Sequence, residues 1–368
     1  MTTKRLIMHI GHPKTGSTTL QDALKAASKT LRKNGVFYPL IGADNNHKRL
    51  QPYLNALSGT ETKSADSARN LGTPEESQSH WERIFTDMCA EDIETVILSY
   101  EGFYSALNSK RVQFSAPFLN EHFGEIDVCG YVRDPSGHFL SAAQQGTKHG
   151  RNFPVFPCSF RRNTLEAAAG AGFHRLVVRP FDRRELIGES IVTDFAHHCL
   201  PKELQTVVQD PPPSNTSISA EAMMLLQKLH RGDDSLPFDI AALAPLAPLP
   251  YRVIEAVDRH TPGQNRPVLL PQARQLAFDM ADDLDWLADT HAIRFPNRPD
   301  RVHEPAAAQE RLSRLTDVAQ ICPVDQDRYQ LLCQNVHQVV RPRRNFFGRP
   351  KNPSLKARIA KYLPARNS

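Results

Sequence analysis

Apolar residues fall into two kinds of pattern along the chain. Short unbroken runs occur at Arg5–Ile10 (RLIMHI), Thr95–Ser99 (TVILS), Ile126–Val132 (IDVCGYV) and Arg175–Val178 (RLVV). Each has strand length and reads as a buried strand. Between the first two, Leu20, Ala23, Leu24, Ala27 and Leu31 recur at i, i+3, i+4, i+7 and i+11, which predicts an amphipathic helix. Asn34-Gly35 ends it. Asp134-Pro135 predicts a second helix start, an N-cap followed by proline at the first helical position. Strands alternating with helices predict an α/β fold with a mostly parallel central sheet flanked by helices.

The rest of the chain is less patterned. Residues 41–80 are polar and read as loop with a short helix. Residues 209–219 (QDPPPSNTSIS) form a punctuated connection whose three prolines cannot enter a helix interior. Ser219 then reads as the cap of a helix carrying Met223, Leu226 and Leu229. Residues 236–251 are rich in Pro, Ala and Leu and irregular, and 235–338 hold helical patches without recognisable chemistry. The expected organisation is a core over 1–200, a mostly helical extension over 201–338 that completes the domain or an acceptor site, and a basic tail over 339–368.

Composition narrows the class. Of 368 residues, 40% are hydrophobic and 23% charged, enough apolar material for a packed core and against global disorder. No run approaches the ~18 apolar residues of a membrane span. The apolar stretch near the N-terminus is too short for a signal peptide, so a cytoplasmic protein is expected. Cys89, Cys129, Cys158, Cys199, Cys322 and Cys333 form no C-x-x-C pair and none has metal spacing to a histidine. They are expected to be reduced, and no metal site is expected.

Charge is distributed unevenly. The net charge is +5, with 45 basic and 40 acidic side chains. Nine of the basic ones (Arg341, Arg343, Arg344, Arg349, Lys351, Lys356, Arg358, Lys361 and Arg366) lie in a terminal stretch without Asp or Glu. Such a tail suits an acidic surface such as phospholipid, or simply remains solvated.

Candidate chemistry concentrates in Gly11-His12-Pro13-Lys14-Thr15-Gly16-Ser17-Thr18-Thr19, between a strand and a helix. A turn of this kind aims backbone N–H groups at one point, and the helix dipole adds positive potential there. It departs from the nucleotide-triphosphate loop G-x-x-x-x-G-K-[ST]. Gly11 and Gly16 have the spacing, but Ser17 replaces the lysine, which stands at Lys14 instead. No acidic strand end suited to Mg²⁺ is evident, since Asp127 lies early in its strand and Arg133 ends it.

Pro13 to Thr18 resembles, position by position, the P-K-[ST]-G-[ST]-[ST] signature of sulfotransferases that use 3′-phosphoadenosine-5′-phosphosulfate (PAPS), where it wraps the 5′-phosphosulfate. Arg133-Asp134-Pro135 with Ser141 is similar to that family's 3′-phosphate signature, R-[DN]-P followed by serine at the same spacing. A looser likeness extends over Val177–Asp182 and Asp194-Phe195, so the resemblance covers about residues 4–200. Asn215–Ser219 is similar to bacterial members. The closing motif R-K-G-x-x-G of the eukaryotic cytosolic enzymes has only a poor echo in Arg343–Gly348. The resemblance implies a three-layer fold like that of P-loop NTPases, with a helical C-terminal extension. It also implies PAPS as co-substrate, released as PAP, and no metal requirement. Lys14, Thr15, Gly16, Ser17, Thr18, Thr19, Arg133 and Ser141 would bind the nucleotide.

For catalysis, Lys14 is the group that can follow charge from the sulfonate to the bridging oxygen. Glu101, just past the strand TVILS, is the candidate base, and the resemblance to carbohydrate sulfotransferases then implies a sugar hydroxyl, on a carbohydrate or glycolipid, as acceptor. A capping or salt-bridged glutamate is the alternative. His47 is a second candidate for base or acceptor binding, with a loop histidine as the alternative. Lys148, His149 and Arg151 could meet an anionic glycan or be solvated. The basic tail would permit peripheral contact with the inner face of a membrane, and no specific nucleic acid is expected. The rival functions are a Mg²⁺-dependent P-loop kinase or nucleotidase, and a non-catalytic adaptor that binds membrane or polyanion through its tail.

Overall fold

The structure is a computed structural model that describes residues 4–59, 71–212, 217–233, 235–236, 250–264 and 266–340. The strands are β1 (Arg5–His9), β2 (Val36–Phe37), β3 (Thr95–Ser99), β4 (Glu125–Val132) and β5 (Arg175–Pro180). The helices up to β5 are α1 (Ser17–Lys33), α2 (Gln51–Leu57), α3 (Pro74–Ala90), α4 (Phe103–Ala106), α5 (Val112–His122), α6 (Pro135–Lys148) and α7 (Phe160–Ala169). After β5 come α8 (Ile191–Cys199), α9 (Ala220–Arg231), α10 (Pro250–His260), α11 (Pro271–Asp279), α12 (Leu284–His291), α13 (Pro305–Ser313), α14 (Val318–Ile321) and α15 (Gln326–Val340). Among the described residues no helix is long and apolar enough to cross a membrane.

The chain forms two compact units that interleave in sequence. The first comprises Met1–Asp134, Pro157–Ser214 and Ala281–Arg298, and the second Pro135–Phe156, Asn215–Met280 and Pro299–Ser368. Residues 201–338 are thus divided between the two.

The first unit is built on a five-stranded, all-parallel sheet of order β2-β3-β1-β4-β5, flanked by helices. His9 is level with Ser99 on one side and Cys129 on the other. From β1 the chain crosses through α1 to β2, and from β4 it continues to β5 on the opposite side. The direction of winding therefore reverses between β1 and β4. In open parallel sheets, the crevice beyond the carboxyl ends of such a strand pair is where ligands bind.

Burial explains the helix that the spacing predicts. Leu20, Ala23, Leu24, Ala27 and Leu31 of α1 pack with Val192, Phe195 and Ala196 of α8 over Ile7, Ile97, Cys129 and Tyr131 of the sheet. The Tyr131 hydroxyl donates to Asp194 Oδ1 (2.9 Å), and Arg179 also donates to that buried carboxylate (2.9 Å). These bonds tie β4, β5 and α8 together.

Two elements depart from the expected pattern. β2 is a two-residue edge strand that no apolar run marks. The stretch 41–80 holds α2 and also the start of the 17-residue α3. Thr73 and Glu76 form a capping box around Pro74, and Trp81, Ile84 and Met88 bury one face. The Trp81 indole donates to the Leu50 carbonyl (3.1 Å).

The second unit is helical, with a core that includes Phe139, Met223, Leu226, Ile254, Leu276, Leu312 and Val336. Ser219 caps α9 as its position predicts, accepting from the Ala222 N–H (3.1 Å). Buried Arg328 pairs with Glu221 and Asp258, each at 2.9 Å. Removing one partner of a buried pair strands the other charge in low dielectric. Arg328→Leu is therefore expected to lower stability by about 3–5 kcal/mol, read as a lower urea midpoint.

Candidate functional site

The carboxyl ends of β1, β3 and β4 bring together Gly11, Glu101 and Arg133. Between β1 and α1 the backbone turns with positive φ at Gly11 (64°), Lys14 (70°) and Gly16 (78°). For an L-residue such as Lys14 that region costs about 1–2 kcal/mol. The strain is held from outside, because Arg133 Nη1 donates to the Lys14 carbonyl (3.1 Å). Within the turn, Thr15 Oγ1 donates to the His12 carbonyl (2.6 Å). The Thr15 hydroxyl thus braces the loop.

Both glycines are places of close approach. A methyl group on Gly11 would lie 3.1 Å from Ser17 Oγ and 3.2 Å from Glu101 Cγ. Ser17 and Glu101 therefore flank the same glycine. Ser17 Oγ is buried and has no hydrogen-bond partner among the described residues, an arrangement that normally needs an explanation. Glu101 is half-buried, and its carboxylate makes no hydrogen bond or ion pair among the described residues. Burial and the nearby Glu101 charge together keep the Tyr100 phenol protonated above its usual range. Thr18 is exposed and Thr19 half-buried on the first turn of α1, whose leading N–H groups have no intrahelical carbonyl to reach.

Phe181 joins the two candidate anion positions. A methyl group on Gly16 would meet its ring at 2.9 Å, and the Arg133 guanidinium lies 5.6 Å from its centroid. Its N–H donates to Val132 O (2.6 Å), next to Arg133. Sequence reasoning noticed Phe181 only as part of a loose likeness. Its signal was an aromatic directly after the end of a strand. Burial lowers the proton affinity of Arg133, while Asp134 opposes that shift.

Beneath the turn lies a buried polar cluster centred on Ser99. The Ser99 hydroxyl meets His9 Nδ1 (2.8 Å) and accepts from Gln21 Nε2 (3.2 Å). His47 is fully buried: its Nδ1 accepts from the Ser99 N–H (2.9 Å), and its Nε2 contacts the Pro39 carbonyl (2.9 Å). Both of its nitrogens are therefore engaged, and the imidazole braces the end of β3. Burial lowers the pKa of His47 to about 4 and that of His9 to about 3.

The remaining candidates lie elsewhere. Ser141 is half-buried on α6, in the second unit. In that same unit Lys148 pairs with Glu255 (3.5 Å) and sits over the Tyr251 ring, which His149 meets edge-on, while Arg151 is exposed. The motif at Arg343–Gly348, the basic residues from 341 onward and Asn215-Thr216 lie outside the described residues. All six cysteines are free thiols. Among the described residues no three His, Cys, Asp or Glu side chains converge to hold a metal ion.

Neither a protein-family model nor a curated protein sequence matches this chain.

Two outcomes follow from this geometry. Gly16→Ala places a Cβ at positive φ and against Phe181, so a loss of about 1–3 kcal/mol is expected. Gly16→Ala combined with Phe181→Ala should recover only part of it in denaturant titration. The depressed values of His9 and His47 mean that the unfolded chain binds two protons the native state refuses. Stability is whole above pH 6.5 and falls as pH drops toward 4. Each histidine adds a slope of up to about 1.4 kcal/mol per pH unit, and His47→Gln should flatten the measured slope.

Proposed function

We propose that the chain is a PAPS-dependent sulfotransferase that moves a sulfuryl group to a hydroxyl of a carbohydrate or glycolipid. The observation that carries this reading is the contact of Arg133 with the carbonyl of Lys14. It couples a glycine turn at the start of α1 with a second cation at the end of β4, on the two sides of the reversal in the sheet. Two such positions suit a nucleotide with phosphates at both ends better than a triphosphate.

Under this reading the turn belongs to a P-loop-type fold. Lys14, Ser17 and the first-turn N–H groups of Gly16, Ser17, Thr18 and Thr19 receive the 5′-phosphosulfate. Thr15 contributes through its backbone. Arg133 takes the 3′-phosphate. Ser17 fits its part, since a buried hydroxyl without a partner is satisfied by an anionic oxygen.

Sulfuryl transfer is in-line and loose, like phosphoryl transfer. The acceptor oxygen attacks sulfur, its O–H proton passes to Glu101, and the bond from sulfur to the bridging phosphate oxygen breaks to release PAP. Lys14 follows the charge that grows on that bridging oxygen. Glu101 suits the base because its carboxylate is uncommitted beside Gly11. His47 is left out of this chemistry, since both of its nitrogens are bonded in the core. The basic tail would hold the enzyme at anionic lipid, in a cytoplasm, near a lipid-linked acceptor.

Thermal shift with PAP against ATP-Mg²⁺ tests the reading. Stabilisation by PAP alone is expected, and stabilisation by ATP-Mg²⁺ alone would return a kinase or nucleotidase. With labelled PAPS and fractionated cell-envelope extract, Lys14→Ala should abolish transfer and Arg133→Ala should chiefly weaken nucleotide binding. Glu101→Gln should bind PAP normally yet turn over ~10²–10⁴-fold more slowly. Near-normal turnover by that variant removes Glu101 from its role.

A further inference from the structure

A second concavity, which the proposed transfer does not use, lies in the first unit beside the edge strand β2. It has a volume of about 250 Å³ and is walled by the later half of α1, the chain leaving β2, and α3. Its floor is apolar, with Phe37, Tyr38, Ile41 and Ile84 all buried. Leu40, 51% exposed, forms an apolar lip.

The rim sets Lys29, Arg32 and Arg83 against one carboxylate, Asp87, so its balance is cationic. Lys29 and Arg83 both line the opening and are exposed, and neither has an ion pair or hydrogen bond among the described residues. Arg32 is different. It is bound to Glu91, lies 3.8 Å from Asp87 and covers the Phe37 ring at 4.3 Å, so it is a fixed wall. His80, also on the rim, has its proton affinity lowered by burial first and then by Arg49, with Arg83 adding to the effect and Glu76 opposing it.

Size and chemistry together limit the occupant. The volume equals that of about eight water molecules and falls below the ~300–1,000 Å³ of sites for drug-sized ligands. An apolar floor under two uncommitted cations suits a small flat body with an acidic edge. The planar fork of Arg83 can hold a carboxylate or phosphate by two bonds, and the floor lowers the local dielectric and strengthens that contact.

We propose that this pocket binds a single-ring ligand bearing one acidic group, with the ring against Leu40, Ile41 and Ile84 and the acid between Lys29 and Arg83. A sugar acid and an aromatic acid share that chemistry. The test is isothermal titration of the full chain with glucuronate and, separately, with benzoate, at low salt. The wild type should bind at least one probe saturably, and whichever binds identifies the source. Lys29→Gln/Arg83→Gln should weaken that binding at least tenfold while leaving the melting temperature and the thermal shift by PAP unchanged. Raising the salt should weaken the wild type in the same direction. Binding of neither probe, or equal binding by wild type and double variant, would overturn the proposal. Lys14→Ala should leave probe binding intact, which separates this pocket from the transfer site.

Discussion

Seven residues separate the last position of β1 from the first of α1, and within them the backbone must leave a buried strand and enter a helix. Three of the seven do so at positive φ. The two glycines are then surrounded on the side where a Cβ would stand: Gly11 by Ser17 and Glu101, and Gly16 by the Phe181 ring. This steric constraint governs the site. Ser17 and Glu101 come to one place because Gly11 lets them close over its Cα. Phe181 can reach the turn because Gly16 has no side chain, and the same ring supports the face of Arg133. Lys14, which lacks a glycine's freedom, has its carbonyl held by that arginine.

The layer below the turn is polar but carries no net charge. Ser99 gathers His9, Gln21 and His47 at the end of β3. Imidazoles suit this place because the neutral ring can both donate and accept, and burial keeps it neutral. A lysine or carboxylate here would incur the desolvation cost of a buried ion. A formal negative charge would also draw Lys14 and Arg133 inward, away from any anion. His47 thus satisfies the Ser99 N–H at the strand end, and His9 holds the Ser99 hydroxyl, without adding charge. That explains how a histidine directly after a polar Asn45-Asn46 pair comes to be wholly buried.

Much of the fold was legible because α1, β1, β3 and β4 bury continuous or strictly periodic apolar sets, whereas β5, expected to be buried, is only half-buried with Arg175 exposed, as an edge strand is. The periodic set Leu20 to Leu31 is the clearest case, since each member is buried in one core. β2 was not legible, because two residues carry no period and only pairing with β3 defines them. α3 was overlooked although Thr73, Pro74 and Glu76 are start signals, since charged side chains surround the sparse Trp81, Ile84 and Met88 stripe. The interleaving of the two compact units lies beyond any local pattern. At the site, the turn and Arg133 were legible as motif chemistry. His47 was not, because a loop histidine and a buried brace differ only in tertiary surroundings. Phe181 acts through its contacts with Gly16 and Arg133, which lie 165 and 48 positions before it in the chain.

The strain at Lys14 bears on why the two cations are coupled. A non-glycine residue at positive φ persists where its surroundings over-determine it, and here the determinant is a guanidinium. Arg133 presents five N–H donors in a rigid plane, and the Lys14 carbonyl engages Nη1. An anion reaching the plane of Arg133 would find a donor already oriented by the turn that carries Lys14. Charge arriving at one position is therefore felt at the other through a short, partly buried path. The turn and the end of β4 are thus coupled through one hydrogen bond, and a shift in either backbone position is transmitted to the other.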